Sequence, residues 1–124
     1  MVLAGLWLML KGYRIIGFRV PTAFGEIDIV AAKHRTLAII EVKHRSDLAT
    51  ALEAVGSAQH DYLRRAGRQI SATTIGLRDF WVRLDLIALA PWRLPHHSRT
   101  LGPTMRAHVR DAELSGFETG RKTV

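Results

Sequence analysis

The chain of 124 residues contains no cysteine. Disulfide bonds and thiolate metal centres are thereby excluded. The absence suits a reducing compartment, so a cytoplasmic location is expected. Long hydrophobic runs are also missing. The apolar stretch at 2–10, VLAGLWLML, is about half of the roughly 20 residues that a spanning helix needs. It has neither the preceding basic region nor the small-residue cleavage site of a signal peptide. It reads instead as a helix buried on more than one side and ending near Gly12. No internal repeat is visible. G-L-W-L-M-L and G-S-A-Q do not match a nucleotide-binding glycine loop. The six histidines have no metal-binding spacing on a helix, and the rings of adjacent His96 and His97 diverge in extended chain.

Acidic residues are scarce beside basic ones. There are 11 Asp and Glu against 18 Lys and Arg, a net charge of +7. Residues 1–92 hold 12 basic and 8 acidic side chains, and residues 93–124 hold 6 and 3, so body and tail share the excess. Such a surface suits nucleic acid or another polyanion, and it equally suits ordinary solubility charge. The length is that of one domain. The apolar content, 48% by count, is enough for one modest core.

Hydrophobic periodicity outlines the elements. Tyr13–Val20 reads as a strand ended by Pro21. Gly25–Ala31 reads as a second, with Ile27 and Ile29 facing one way and Glu26, Asp28 and Val30 the other. Lys33–Thr36 forms a tight turn, and Leu37–Lys43 a third strand. A long helix is expected from Leu48 to Ser71. Its inward stripe comprises Leu52, Val55, Gln59, Tyr62, Ala66 and Ile70. Trp81–Leu89 is a last alternating strand. Trp7, Trp81 and Trp92 read as core or core-edge anchors. The expected fold is α/β, a mixed central β-sheet made of an antiparallel meander plus a crossover strand, flanked by helices. The folded domain is expected over 1–95. Residues 96–124 read as a basic, loosely ordered tail, with room for a short helix near 104–114.

Two carboxylates stand out because acids are depleted inside strands. With His34 and Arg35 as the loop, Lys33 pairs with Thr36, and counting outward sets Asp28 opposite Glu41. Opposed residues have Cβ atoms about 4.5–5.5 Å apart, so the two charges repel unless something compensates. A divalent cation would do so. Lys43 follows on the same face as Glu41 and would stabilise charge on a phosphate or position a water. Glu26 lies one pleat from Asp28 and would assist. An acid on one strand and E-x-K on the next bring a metal, a water and a cation to one point, as metal-assisted phosphodiester hydrolysis requires. A salt-bridged patch on an open sheet face is the competing reading. Gln59 either points at this centre or bonds the sheet edge. Asp85, beside Arg83 in the last strand, reads as a structural ion pair or a strand-end hydrogen bond rather than a catalytic acid. Arg14, Arg19, Lys33, Arg35, His44 and Arg45 cluster near strand ends and as a set would form a phosphate track.

G-E-I-D-I-V at 25–30 followed by I-I-E-V-K-H-R at 39–45 resembles the bacterial YraN-like family. K-G-Y-R-I at 11–15, A-L-E-A-V at 51–55 and R-L-D-L-I-A-L at 83–89 agree, so the resemblance spans about 3–95. That family is related to the restriction-endonuclease-like PD-(D/E)xK superfamily, and most closely to archaeal Holliday-junction resolvases. The resemblance implies a restriction-endonuclease-like core and an Mg²⁺- or Mn²⁺-dependent nuclease acting on DNA, branched or structured DNA above all. It implies metal ligands at Asp28, Glu41 and the Val42 carbonyl, with Lys43 as base or charge stabiliser. It also implies a symmetric homodimer, for which the apolar face of the first helix would serve. The family's first-helix glutamate falls at about Met1 here. The chain as given lacks that acid, or its start is misassigned. This departure supports an alternative, a nucleic-acid-binding protein with a degenerate site. A protein-binding adaptor is a third reading.

Overall fold

The computed structural model describes residues 1–45, 48–91, 94–99 and 105–106. Its elements are α1 (Val2–Leu10), β1 (Arg14–Thr22), β2 (Gly25–Lys33), β3 (Thr36–His44), α2 (Leu48–Glu53), α3 (Ser57–Thr73), β4 (Trp81–Leu89), β5 (His96–Ser98) and β6 (Met105–Arg106). The architecture is α/β with a mixed sheet, as the periodicity predicts. The strand order is β1-β2-β3-β4-β5, and β6 also pairs with β4. The first three strands run antiparallel, and β4 returns parallel to β3 after the helical crossover.

The β2–β3 hairpin starts in the register that residue counting predicts, with Lys33 opposite Thr36, but pairing ends at Ile29–Ile40 and the expected Asp28–Glu41 pair is not formed. His34 and Arg35 both take left-handed φ, 50° and 61°. A two-residue hairpin demands this, because such turns must match the right-handed twist of the strands.

Several boundaries differ from expectation. Pro21 does not end β1, since it pairs with Glu26 and the strand runs to Thr22. Position explains this: β1 is the outer strand of the sheet, where a missing N–H breaks no ladder. The helix expected over 48–71 is two helices. Gly56, an intrinsically poor helix former, is extended at φ −78°, ψ 172°. Val55 is buried with Ala51, Leu86 and Ala88, which holds the break against β4. The segment expected to be loose from residue 96 opens with β5, paired to Leu86–Ala88. Within the helix expected near 104–114, Met105–Arg106 is strand. The other residues of that stretch, and Trp92, lie outside the described residues.

The sheet separates two apolar layers. Val30, Ala32, Leu37, Ile39, Val82 and Leu84 pack with Leu63, Ala66 and Ile70 of α3. Ile29, Ala31, Ala38, Ile40, Ile87 and Leu89 pack with Ala4 and Leu8 of α1. Strand alternation accounts for both sets, with one exception. Ile27 was expected to share the face of Ile29, yet it joins the α3-side cluster. The pleat is therefore irregular at Asp28, the first position of the candidate site.

Candidate active site

Hydrogen-bond alternation explains that irregularity. A two-residue loop is flanked by a hydrogen-bonded pair, here Lys33–Thr36, and every second pair outward is bonded too. Ala31–Ala38, Ile29–Ile40 and then Ile27–Val42 should follow. The β2–β3 pairing stops at Ile29–Ile40. The Val42 N–H, which in a continued ladder would reach the Ile27 carbonyl, donates to Asp28 Oδ2 at 2.8 Å. The Asp28 carboxylate thus replaces a backbone acceptor and frees Ile27 to turn. Across β1, Arg19 falls between the pairs Phe18–Ile29 and Val20–Ile27 and takes a left-handed φ of 49°. Both neighbours of β2 are involved in the bend, and an arginine tolerates that φ better than a β-branched residue such as Val20 would.

Glu41 shares the α3 face with Leu37 and Ile39, and it is 7% exposed. Gln59, in the first turn of α3, donates from Nε2 to Glu41 Oε2 at 2.7 Å. Lys43 Nζ lies 3.4 Å from the same oxygen. The other oxygen, Oε1, is buried with no hydrogen-bond partner. Burial raises the Glu41 pKa above the ordinary carboxylate value, and the Asp28 charge raises it further. Lys43 and the Gln59 amide oppose that shift.

Of the expected site residues, the structure brings Asp28, Glu41, Lys43 and Gln59 together. Glu26 is exposed, and its carbonyl accepts a bond from the Tyr62 hydroxyl at 3.1 Å. The Val42 N–H and carbonyl both point toward the β2 side, as they do for any one strand residue. The expected phosphate track is divided. Arg14 pairs with Ala32 and sits with Lys33 and Arg35 at the hairpin end. His44 and Arg45 follow Lys43 at the other end, about 26 Å away along β3. Arg35 approaches Asp79 at 4.0 Å and the Phe80 ring at 5.6 Å. Arg45 donates from Nη1 to the His44 carbonyl.

A divalent cation fits the donors present. Asp28 and Glu41 are hard oxygen donors, and Glu41 Oε1 is a buried acceptor in need of a partner. Among the described residues no group of three or more His, Asp or Glu side chains gathers. Such a cation would rest on two carboxylates with backbone and water oxygens, the few-ligand manner typical of Mg²⁺. The α1 sequence VLAGLWLML contributes no acid. Met1 packs on the α1-side cluster, across the sheet from Glu41.

A family model, that of the uncharacterised protein family UPF0102, matches residues 2–89. The chain belongs to this family. Membership agrees with the YraN-like resemblance of the two-strand motif. A UPF0102 protein of a Caulobacter species is 60% identical over 96 residues, covering 77% of this chain and 69% of the relative. The UPF0102 protein of Caulobacter vibrioides is 54% identical, covering 77% of each. That of Maricaulis maris is 41% identical over 97 residues, covering 78% and 76%.

In this UPF0102 chain two residues with polar roles escaped the sequence reading, one beside the site and one across the sheet from it. Tyr62, three residues beyond Gln59 on the same stripe, has a raised pKa from burial and from the Glu41 charge. Its spacing from Gln59 was visible, but a tyrosine on an inward stripe reads as core. His97 is the other. It lies on β5, which no periodicity announces. No helix among the described residues is long and apolar enough to cross a membrane.

Proposed function

We propose that this UPF0102 chain is a metal-dependent phosphodiesterase acting on DNA. The observation that carries the reading is the buried Glu41 Oε1, which lacks a partner beside Asp28 and Lys43. Asp28, Glu41 and the Val42 carbonyl would hold Mg²⁺ or Mn²⁺. When bound, the cation supplies Lewis-acid charge and a water of lowered pKa. Gln59 orients Glu41 through Oε2 and leaves Oε1 open. Lys43 sets a positive charge beside the carboxylate, where it stabilises negative charge on a reacting phosphate. His44 and Arg45 would hold flanking phosphates. Preference for branched DNA, a restriction-endonuclease-like core and a homodimer rest on the family resemblance.

A second reading, a nucleic-acid-binding protein with a degenerate site, rests on the family resemblance, because α1 carries no acid and packs across the sheet from Glu41. Calorimetry with Mn²⁺ separates the two. Binding that is lost in Asp28→Asn supports the hydrolase, and no binding by the native chain rejects it. Cleavage of junction, flap and linear DNA should fall by about 10²-fold or more in Lys43→Ala. Product formation that survives both Glu41→Gln and Lys43→Ala would also reject it.

A further inference from the structure

The opposite face of the sheet holds a second polar cluster. Asp85 lies on the α1 face of β4, and its side chain is 0% exposed. Arg83 grips it with Nε on Oδ1 and Nη2 on Oδ2, each at 2.8 Å. His97 Nε2 meets Oδ2 at 2.8 Å, and the His97 side chain is 2% exposed. His97 Nδ1 lies 2.6 Å from Lys11 Nζ. An ammonium has no lone pair, so Nδ1 accepts and Nε2–H donates to Asp85. Lys33 Nζ donates to the Lys11 carbonyl at 2.5 Å and sits 5.3 Å from the Tyr13 ring centre. Arg83 also donates to the Tyr13 hydroxyl.

The charges do not balance. Asp85 is the one carboxylate among the described groups that act on Lys11, while Arg99, Lys33 and Arg83 all act there as cations. Both oxygens of Asp85 are engaged by Arg83 and His97. The two lysines bond only neutral acceptors in these contacts, and each ammonium has three donors. Burial and the Arg99 charge lower the Lys11 pKa, and the Asp85 charge opposes that shift without cancelling it. Lys11 and Lys33 are half-buried, and Arg99 is exposed, so the cluster is open on one side.

We propose that Lys11, Lys33 and Arg99, backed by the Arg83–Asp85–His97 network, form a binding site for a phosphate-type oxyanion. The anion would supply the missing negative charge and accept the spare ammonium donors. The site lies across the sheet from Glu41 and does not depend on the hydrolase reading. Its phosphate is either a free anion or a phosphodiester of a DNA strand.

The test is an NMR titration of the full chain with inorganic phosphate in metal-free, low-salt buffer, against chloride at matched ionic strength. Saturable shifts of the Lys11, Gly12, Lys33 and Arg99 amides are expected. Lys11→Gln keeps a donor for His97 and removes the charge. Arg99→Gln changes an exposed side chain and keeps the test valid if the first variant fails to fold. Each should weaken phosphate binding by about ten- to a hundredfold. Displacement of phosphate by a DNA duplex would identify a strand phosphate as the source. Binding that duplex leaves untouched would identify a free anion. Absence of saturable shifts in the native chain, or equal affinity in Arg99→Gln, would overturn the site.

Discussion

At the scale of single residues, Glu41 and Asp85 illustrate opposite ways to bury a carboxylate. Asp85 is surrounded by donors, whereas Glu41 keeps one oxygen unsatisfied. Burial and the Asp28 charge raise the Glu41 pKa in the folded chain above its unfolded value. The fold therefore binds the Glu41 proton more tightly than the unfolded chain does. The ionised group destabilises the fold above the raised pKa, and the penalty fades as pH falls through it. Glu41→Gln should accordingly raise the denaturant midpoint at neutral pH, with an advantage that shrinks toward acid pH. A midpoint that drops at pH 7 would contradict this account. Asp85→Asn should act in the other direction. It leaves the buried Arg83 guanidinium uncompensated, and about 3–5 kcal/mol of stability should be lost. The burial of Arg83 opposes its charge, but its bonds to Asp85 and Tyr13 outweigh this and hold its pKa above the ordinary value. Equilibrium unfolding in urea measures the loss.

At the scale of elements, the sheet was legible where periodicity and turn chemistry agree. Lys33–Thr36 and the strand identity of residues 25–43 followed from alternation and a two-residue loop. Element ends were less legible, because neighbours set them. Pro21 stays within β1 because its strand has an open edge, and Gly56 caps α3 after a break at which Val55 meets β4. Helix α3 gives a sharper case. A Cβ on Gly67 would stand 2.8 Å from Ile39 Cγ1 and 2.9 Å from Val82 Cγ1. Gly67→Ala gains about 1 kcal/mol of helix propensity. Overpacking a buried contact costs about 1–3 kcal/mol. The clash involves the cores of buried β-branched side chains, so the net effect should be destabilising. A higher melting temperature in Gly67→Ala would show that the helix can shift away from the sheet.

At the scale of the whole molecule, β5 ties a late segment of the chain to its first helix. His97 touches Asp85 of β4 and Lys11 at the end of α1, and its ring lies 5.9 Å from that of Tyr13. Ending the chain after Pro95 removes these contacts, uncovers the β4 edge and leaves one oxygen of Asp85 without its histidine. A loss of about 1–3 kcal/mol is expected for the buried polar group, read as a lower melting temperature. An unchanged melting temperature would show that β5 adds nothing to the fold.

The candidate centre was readable because its residues are local in the chain. Asp28, Glu41 and Lys43 lie on one hairpin, so counting from the turn places them on one face. Gln59 was readable as inward-facing, but only its crossover helix brings it to Glu41 Oε2. Tertiary structure alone decided three features. The Asp28 carboxylate takes over a ladder bond because the β2–β3 pairing stops one step short of it. The basic residues divide between the two ends of the sheet because strand direction separates Arg35 from Arg45. Lys11 and His97, 86 positions apart, meet because β5 returns to the edge of β4 beside the end of α1. Alternation and turn length act over a few residues and can be read from one sequence. Which distant strands become neighbours depends on how the apolar layers pack, and no local pattern carries that information.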